Sequence, residues 1–203
     1  MTGWASAGSA TVGAFNLSLT FPAGIGNPTE RVFSERVEGS SVNKAIEIFN
    51  GTGSTIDRAA NGNSIEICFN GHTTAATVAD HTGVIAHGDV LVLADDGPDA
   101  LILAPADQLI TGNLFNGDVA VALPKNNTVV DVIGQTGFEP CSQWGSGFAG
   151  TRCDTLRRQP FIQGGDTNGS DAIHPAVAGL VMSGTCRSPP RAAHRSSGRF
   201  RVP

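Results

Sequence analysis

Oxygen-bearing side chains around a glycine, Asp166-x-Asn168-Gly169-x-Asp171, have the spacing in this chain that most suits chemistry. A calcium ion takes about six to eight oxygen ligands at flexible distances, and loops of this composition can supply them. The spacing differs from an EF-hand loop, and no glutamate follows to bind the ion through both oxygens. The same residues also make an Asx-rich turn whose side chains bond their own backbone. The turn, with no cofactor, is the expectation; Ca²⁺ held by Asp166, Asn168 and Asp171 is the alternative.

Other reactive residue types are less well placed. Glu47 lies between Ile46 and Ile48, so alternation puts it on the opposite face of a strand, toward solvent. Glu35 and Glu38 read as loop-stabilising carboxylates with Lys44 as their ion-pair partner. Paired carboxylates that hydrolyse a substrate need a cleft and tuned pKa values, and no such pattern is present. His72, His81, His87, His174 and His194 are scattered, without the spacing of a metal site. No nucleophile elbow, phosphate-binding loop or dinucleotide fingerprint occurs in a strand–helix context.

The four cysteines, Cys68, Cys141, Cys153 and Cys186, form no C-x-x-C pair. Cys141 and Cys153 flank a glycine-rich loop that a disulfide would close in an oxidising compartment. Cys68 sits inside an apolar alternation and reads as a small buried side chain. Trp144 reads first as core or as a lid over a sandwich end, and second as an anchor for a partner. Asn16, Asn50, Asn126 and Asn168 are Asn-x-Ser/Thr sequons at turns.

The elements that would carry these residues are strands. Val32–Glu35, Lys44–Phe49, Ser64–Phe69, a weaker run around Thr74–Ala79, Val90–Ala94, Val119–Leu123 and Val129–Ile133 are apolar or alternating. Glycine- and asparagine-bearing turns separate them. Val90–Ala94 is apolar on both faces and so central. Leu101–Ala104 is a short helix or a strand, which periodicity does not decide. Asn126-Asn127 reads as a tight hairpin turn, because asparagine tolerates positive φ. No helical period is sustained, and no repeat is found. The expectation is an all-β antiparallel sandwich.

The composition agrees: 26 of 203 residues are glycine and only 15% are charged. The net charge of −5 hides a basic end: five arginines and no acid lie between Arg187 and Pro203, leaving −10 on the rest. An acidic body does not attract a phosphate backbone, and with Tyr absent and two Trp, stacking platforms are scarce. No apolar run approaches the roughly 18 residues of a membrane span. Val12 to Gly26 is mildly apolar but interrupted, and no basic residue precedes it, so no signal peptide is recognised.

Four pieces in order carry a resemblance. The first is Ser34-Glu35-x-x-Glu38-Gly39-Ser40-Ser41-x-Asn43-Lys44-x-Ile46-Glu47-Ile48-x-Asn50. The second is Phe115-Asn116-Gly117-Asp118, with the strand after it. The third is Asp131-Val132-Ile133-Gly134-Gln135, leading to Trp144-Gly145. The last is Thr155-Leu156-Arg157-Arg158 with Gly165-Asp166-x-x-Gly169-Ser170-Asp171. Together they resemble the bacterial lamin-tail domain, an immunoglobulin-like β-sandwich often found beside secreted nucleases of the endonuclease/exonuclease/phosphatase class.

The chain departs from the pattern at Phe49, Val119, Pro124, Cys141 and Cys153. Beyond Asp171 the expected Trp-containing segment gives way to Arg/Ser/Pro text. Residues 1–29 then read as an irregular lead, 30–175 as the sandwich, and 176–203 as a disordered or frame-shifted basic tail. The resemblance implies a non-catalytic interaction or accessory module, extracellular or at the cell surface, with a protein or surface partner or a linked nuclease domain. The alternatives are the inactive front of a secreted metal-dependent nuclease and a Ca²⁺-stabilised adhesion module.

Overall fold

Period-two alternation sorts the apolar side chains of this chain onto two sheets that face each other. The computed structural model describes residues 28–58, 60, 63–80, 82–145, 150–158, 163–169 and 180–182, the last as backbone. The strands are β1 (Val32–Glu38), β2 (Lys44–Phe49), β3 (Ile56–Asp57), β4 (Ser64–Cys68), β5 (Thr77–Asp80), β6 (Val84–Ile85) and β7 (Val90–Asp95). A short helix, α1 (Ala100–Leu103), precedes β8 (Gln108–Ile110), β9 (Ala120–Lys125), β10 (Thr128–Ile133), β11 (Thr155–Arg158) and β12 (Leu180–Met182). One sheet runs β12-β11-β1-β2-β7-β8, the second β10-β9-β4-β5, and β3 pairs β6 in a small ribbon.

The core lies between the two large sheets. Phe33, Ile46, Ile48, Leu91 and Leu93 point in from the first sheet, and Ile65, Ile67, Val121, Leu123 and Ile133 meet them from the second. The expected all-β sandwich is what forms. A smaller cluster of Val37, Ala45, Ala94 and Ile102 lies on the other face of the first sheet, where α1 covers it. That cover explains why β7 is apolar on both faces and resolves Leu101–Leu103 as helix.

β8 runs parallel to β7, whereas the other neighbouring strands are antiparallel. A parallel partner needs a crossover, and residues 96–107 with α1 supply it. The β9–β10 hairpin turns as expected through Asn126 (φ 50°) and Asn127 (φ 62°), the left-handed pair a two-residue turn requires.

Two boundaries differ from expectation. β1 continues past Glu35 to Glu38 because Arg36 and Glu38, the latter expected in a loop, are buried and pair with each other. The first sheet also reaches past residue 175: Leu180–Met182 pairs antiparallel with β11, inside the stretch expected to be a disordered tail. Residues 1–27 and 183–203 lie outside the described residues. No helix among the described residues is long and apolar enough to cross a membrane.

Candidate functional site

At one end of the sandwich, buried charges tie the two sheets together. Bulges in β1, between Phe33 and Glu35, and in β10, between Val129 and Asp131, free backbone groups from their ladders. The Asp131 carboxylate reaches from the second sheet to accept the Phe33 N–H at 2.8 Å and the Asp166 N–H at 2.9 Å. Arg158 donates to the same carboxylate and, at 2.6 Å, to the Phe33 carbonyl. Burial pushes the Asp131 carboxyl above its ordinary range, and Arg158 with the two N–H donors opposes that shift. Gly165 passes so close that an added Cβ would lie 2.1 Å from the Val130 carbonyl oxygen. Arg31 donates to the Pro124 carbonyl, and Lys125 pairs with Glu30 at 2.7 Å.

The first sheet's outer face carries a second buried acid. Alternation does place Glu47 opposite Ile46 and Ile48, but its side chain is 0% exposed, not directed to solvent. The Ser34 hydroxyl donates to Glu47 Oε1 at 2.7 Å, while Oε2 is buried with no hydrogen-bond partner. Burial pushes this carboxyl up to about 7; the Ser34 hydroxyl opposes the shift, and the neighbouring Glu35 adds to it. Arg157, the nearby cation, pairs with Glu35 at 3.2 Å.

The opposite end of the sandwich is open. The β1–β2 turn, the end of β4, the end of β7 and the segment before β9 converge there on a cavity of about 410 Å³. Its walls are Ser41 and Val42, Lys44, Phe69, Asp95, and Asn113 to Asn116. Lys44, expected to pair with Glu35 and Glu38, instead extends to Asn116 Oδ1 at 3.2 Å. It lies opposite Glu38 in the ladder, but Glu38 turns along its own strand to Arg36 at 2.8 Å, two residues away on the same face.

Arg36 is the pillar behind this end. Its guanidinium lies 4.3 Å from the Phe115 ring centroid and donates to the carbonyls of Asn116 and Thr151 at 2.8 and 2.7 Å. Burial lowers its pKa, and Glu38 opposes that. Asp95 is 3% exposed, and burial raises its carboxyl, with the Asp96 N–H opposing. Asp95 and Asn113 carry no functional signal in the sequence, whereas Asn116 stands in the second motif as a turn residue. They come from the end of β7 and the segment before β9, and only the ends of strands bring them together.

The remaining expected residues are dispersed. Trp144 is 2% exposed, a core residue as in its first reading and not the partner anchor of its second. Its backbone N–H donates to the Gly117 carbonyl and the Thr151 hydroxyl, and its ring packs with Cys68 and Ala120. The indole fits because Gly134 (φ +90°) lies beneath it; a Cβ there would be 2.5 Å from Nε1. Cys141 is exposed and Cys153 half-buried, and both are free thiols, so the candidate disulfide between them is not formed. Both sit at positive φ in turns outside the strands, where no ladder sets their pairing.

Asp166 Oδ1 accepts the Asn168 N–H at 2.9 Å, which is the Asx turn. Among the described residues no three His, Cys, Asp or Glu side chains gather as a metal site; Asp171 lies outside them. His87 accepts the Gly53 N–H, and His72 is exposed; His81, His174 and His194 lie outside the described residues. Asn50 is buried, surrounded by the carbonyls of Ser54, Ile85 and Ala86, so this sequon is a structural hub.

Comparison of the chain with family models, curated proteins and solved structures gives no match.

Proposed function

We propose that this chain is a non-catalytic interaction or accessory module, an immunoglobulin-like sandwich of lamin-tail type. The observation that carries the reading is where the charged residues of its four motifs are used. Glu38 is spent on Arg36, Glu35 on Arg157, and Asp131 on Arg158 and two backbone N–H groups. General acid–base catalysis needs a carboxyl within hydrogen-bond reach of substrate. These carboxyls are instead engaged in ion pairs within and between strands, and the wall of the open cavity carries one cation and one carboxylate.

The module would act outside the cell or at its surface, holding a protein or surface partner, or a linked nuclease domain, in place. The test is incubation of the full chain with supercoiled DNA and Mg²⁺. DNA that stays as intact as in a protein-free control is the expected result. Cleavage that copurifies with the chain would overturn the reading.

A further inference from the structure

We propose that the open-end cavity is a binding site for a neutral saccharide, taking a sugar ring from a polysaccharide or glycan chain. The inference rests on the reading of the chain as a binding module and names what that module holds.

Size and charge narrow the ligand class. A cavity of about 410 Å³ falls within the range of small-molecule sites, roughly 300–1,000 Å³. Lys44 and Asp95 are the charged residues in its wall. Since Ala45 pairs with Ala94, they are cross-strand neighbours, yet they form no ion pair. Lys44 leans to Asn116 Oδ1, while the Asp95 carboxyl bonds to the Asp96 N–H and side chain. One positive and one negative group held apart leave no net field for a phosphate, a uronic acid or a cation. They offer a strong donor and a strong acceptor to a ligand that carries both in one group, which a hydroxyl does.

The rest of the wall matches the same chemistry. Asn113 and Asn116 are exposed amides, each with donor and acceptor ends, and Ser41 adds a hydroxyl. Phe69 is half-buried and supplies the available aromatic face, because Arg36 already occupies a face of Phe115. A sugar ring has this dual character, with hydroxyls around its edge and C–H groups on its faces.

The site is also held in shape before ligand arrives, which lowers the entropy lost on binding. Asn43 clamps the β1–β2 turn to Asp99 through two hydrogen bonds, at 2.9 and 2.7 Å. Arg36 fixes the Asn116 carbonyl from behind.

The experiment is a calorimetric and NMR titration of the full chain. The neutral probes are β- and α-linked tetrasaccharides of glucose, mannose, galactose and N-acetylglucosamine. The charged probes are heparin and oligogalacturonate, and a random peptide library completes the set. Saturable binding of at least one neutral tetrasaccharide is expected. Asn116→Ala and Asp95→Asn should each weaken it 10-fold or more, Phe69→Ala should abolish it, and Val84→Thr on the distant ribbon should leave it unchanged.

Should Phe69→Ala fail to fold, Asn113→Ala and Asn116→Ala, both at exposed positions, still decide the matter. No neutral sugar bound, tighter binding of the charged polymers or of peptides, or binding unaffected by Asn116→Ala would each overturn the proposal. A chain that binds no sugar and cleaves no DNA refutes the ligand and leaves the module standing. A chain that binds sugar and cleaves DNA refutes the module and keeps the ligand.

Discussion

Replacing Glu47 with glutamine should stabilise the protein at neutral pH and leave it nearly unchanged in mild acid. The folded-state carboxyl is pushed from its ordinary 4.5 to about 7, chiefly by burial. Below pH 4.5 the proton is bound in both the folded and the unfolded chain, so the acid costs nothing as a charge. As pH rises above 4.5 the unfolded chain releases the proton while the folded one keeps it, and stability falls. The fall is complete near pH 7. At 1.36 kcal/mol per unit, the total loss is about 3 kcal/mol.

Glutamine carries no proton to release, so the variant should gain up to about 3 kcal/mol over the parent at pH 8 and about zero at pH 4.5. Its carbonyl can take the place of Oε1 and accept from the Ser34 hydroxyl. The amide nitrogen inherits the unpartnered place of Oε2, which trims the gain. The assay is urea unfolding of both proteins from pH 4.5 to 8, followed by tryptophan fluorescence, with the slope in urea checked for constancy. A stability difference between variant and parent that does not change with pH would refute the reasoning, since the Glu47 carboxyl would then titrate alike in the folded and unfolded chains.

Asp131→Ala should cost about 3–5 kcal/mol in the same assay, because it leaves the Arg158 guanidinium buried without its carboxylate. Asp131→Leu combined with Arg158→Leu should cost less than Asp131→Ala alone, as the stranded charge is removed. Gly134→Ala should lower stability by about 1–3 kcal/mol, from a positive φ and a Cβ pressed on the indole, and shift Trp144 emission. Gly53→Ala, at φ +86° with open space around it, should cost less, and thermal melting compares the two. Millimolar Ca²⁺ or EDTA should leave the melting temperature unmoved, because Asp166 Oδ1 is already taken by the Asn168 N–H; a rise of several degrees with Ca²⁺ would contradict the Asx-turn reading.

Much of the sandwich was legible because alternation is a local property. β2, β4, β7, β9 and β10 lie where the sequence runs apolar or alternates, and Asn126-Asn127 turns as its residue types require. The misreadings came where a distant partner changes what a residue costs. Arg36 and Glu38 are charged residues whose ion pair forms in the core, so β1 runs three residues past the Val32–Glu35 that the sequence marks. Glu47 was placed on the correct face, but alternation says nothing about whether that face meets water. The direction of β8 depends on a crossover, and no residue in Gln108–Ile110 encodes it. Trp144 needed Gly134 and Cys68 beneath it before its burial could be known.

The resemblance motifs divide along the same lines, and the division bears on function. Their charged members at Glu35, Asp131 and Arg158 are bound into the strands, where a substitution is felt as stability. Three other members, Ser41, Lys44 and Asn116, meet at the open end, where a substitution to alanine removes no buried partner. Lys44 is the one to watch, because its 3.2 Å bond to Asn116 joins the first motif to the second across the cavity. A sandwich that needed only to be stable would gain little by holding an exposed ammonium against an exposed amide, since such contacts contribute at most about 1 kcal/mol. On the saccharide proposal, that contact holds two ligand-facing groups at a fixed separation, with the opposite end supplying the rigidity.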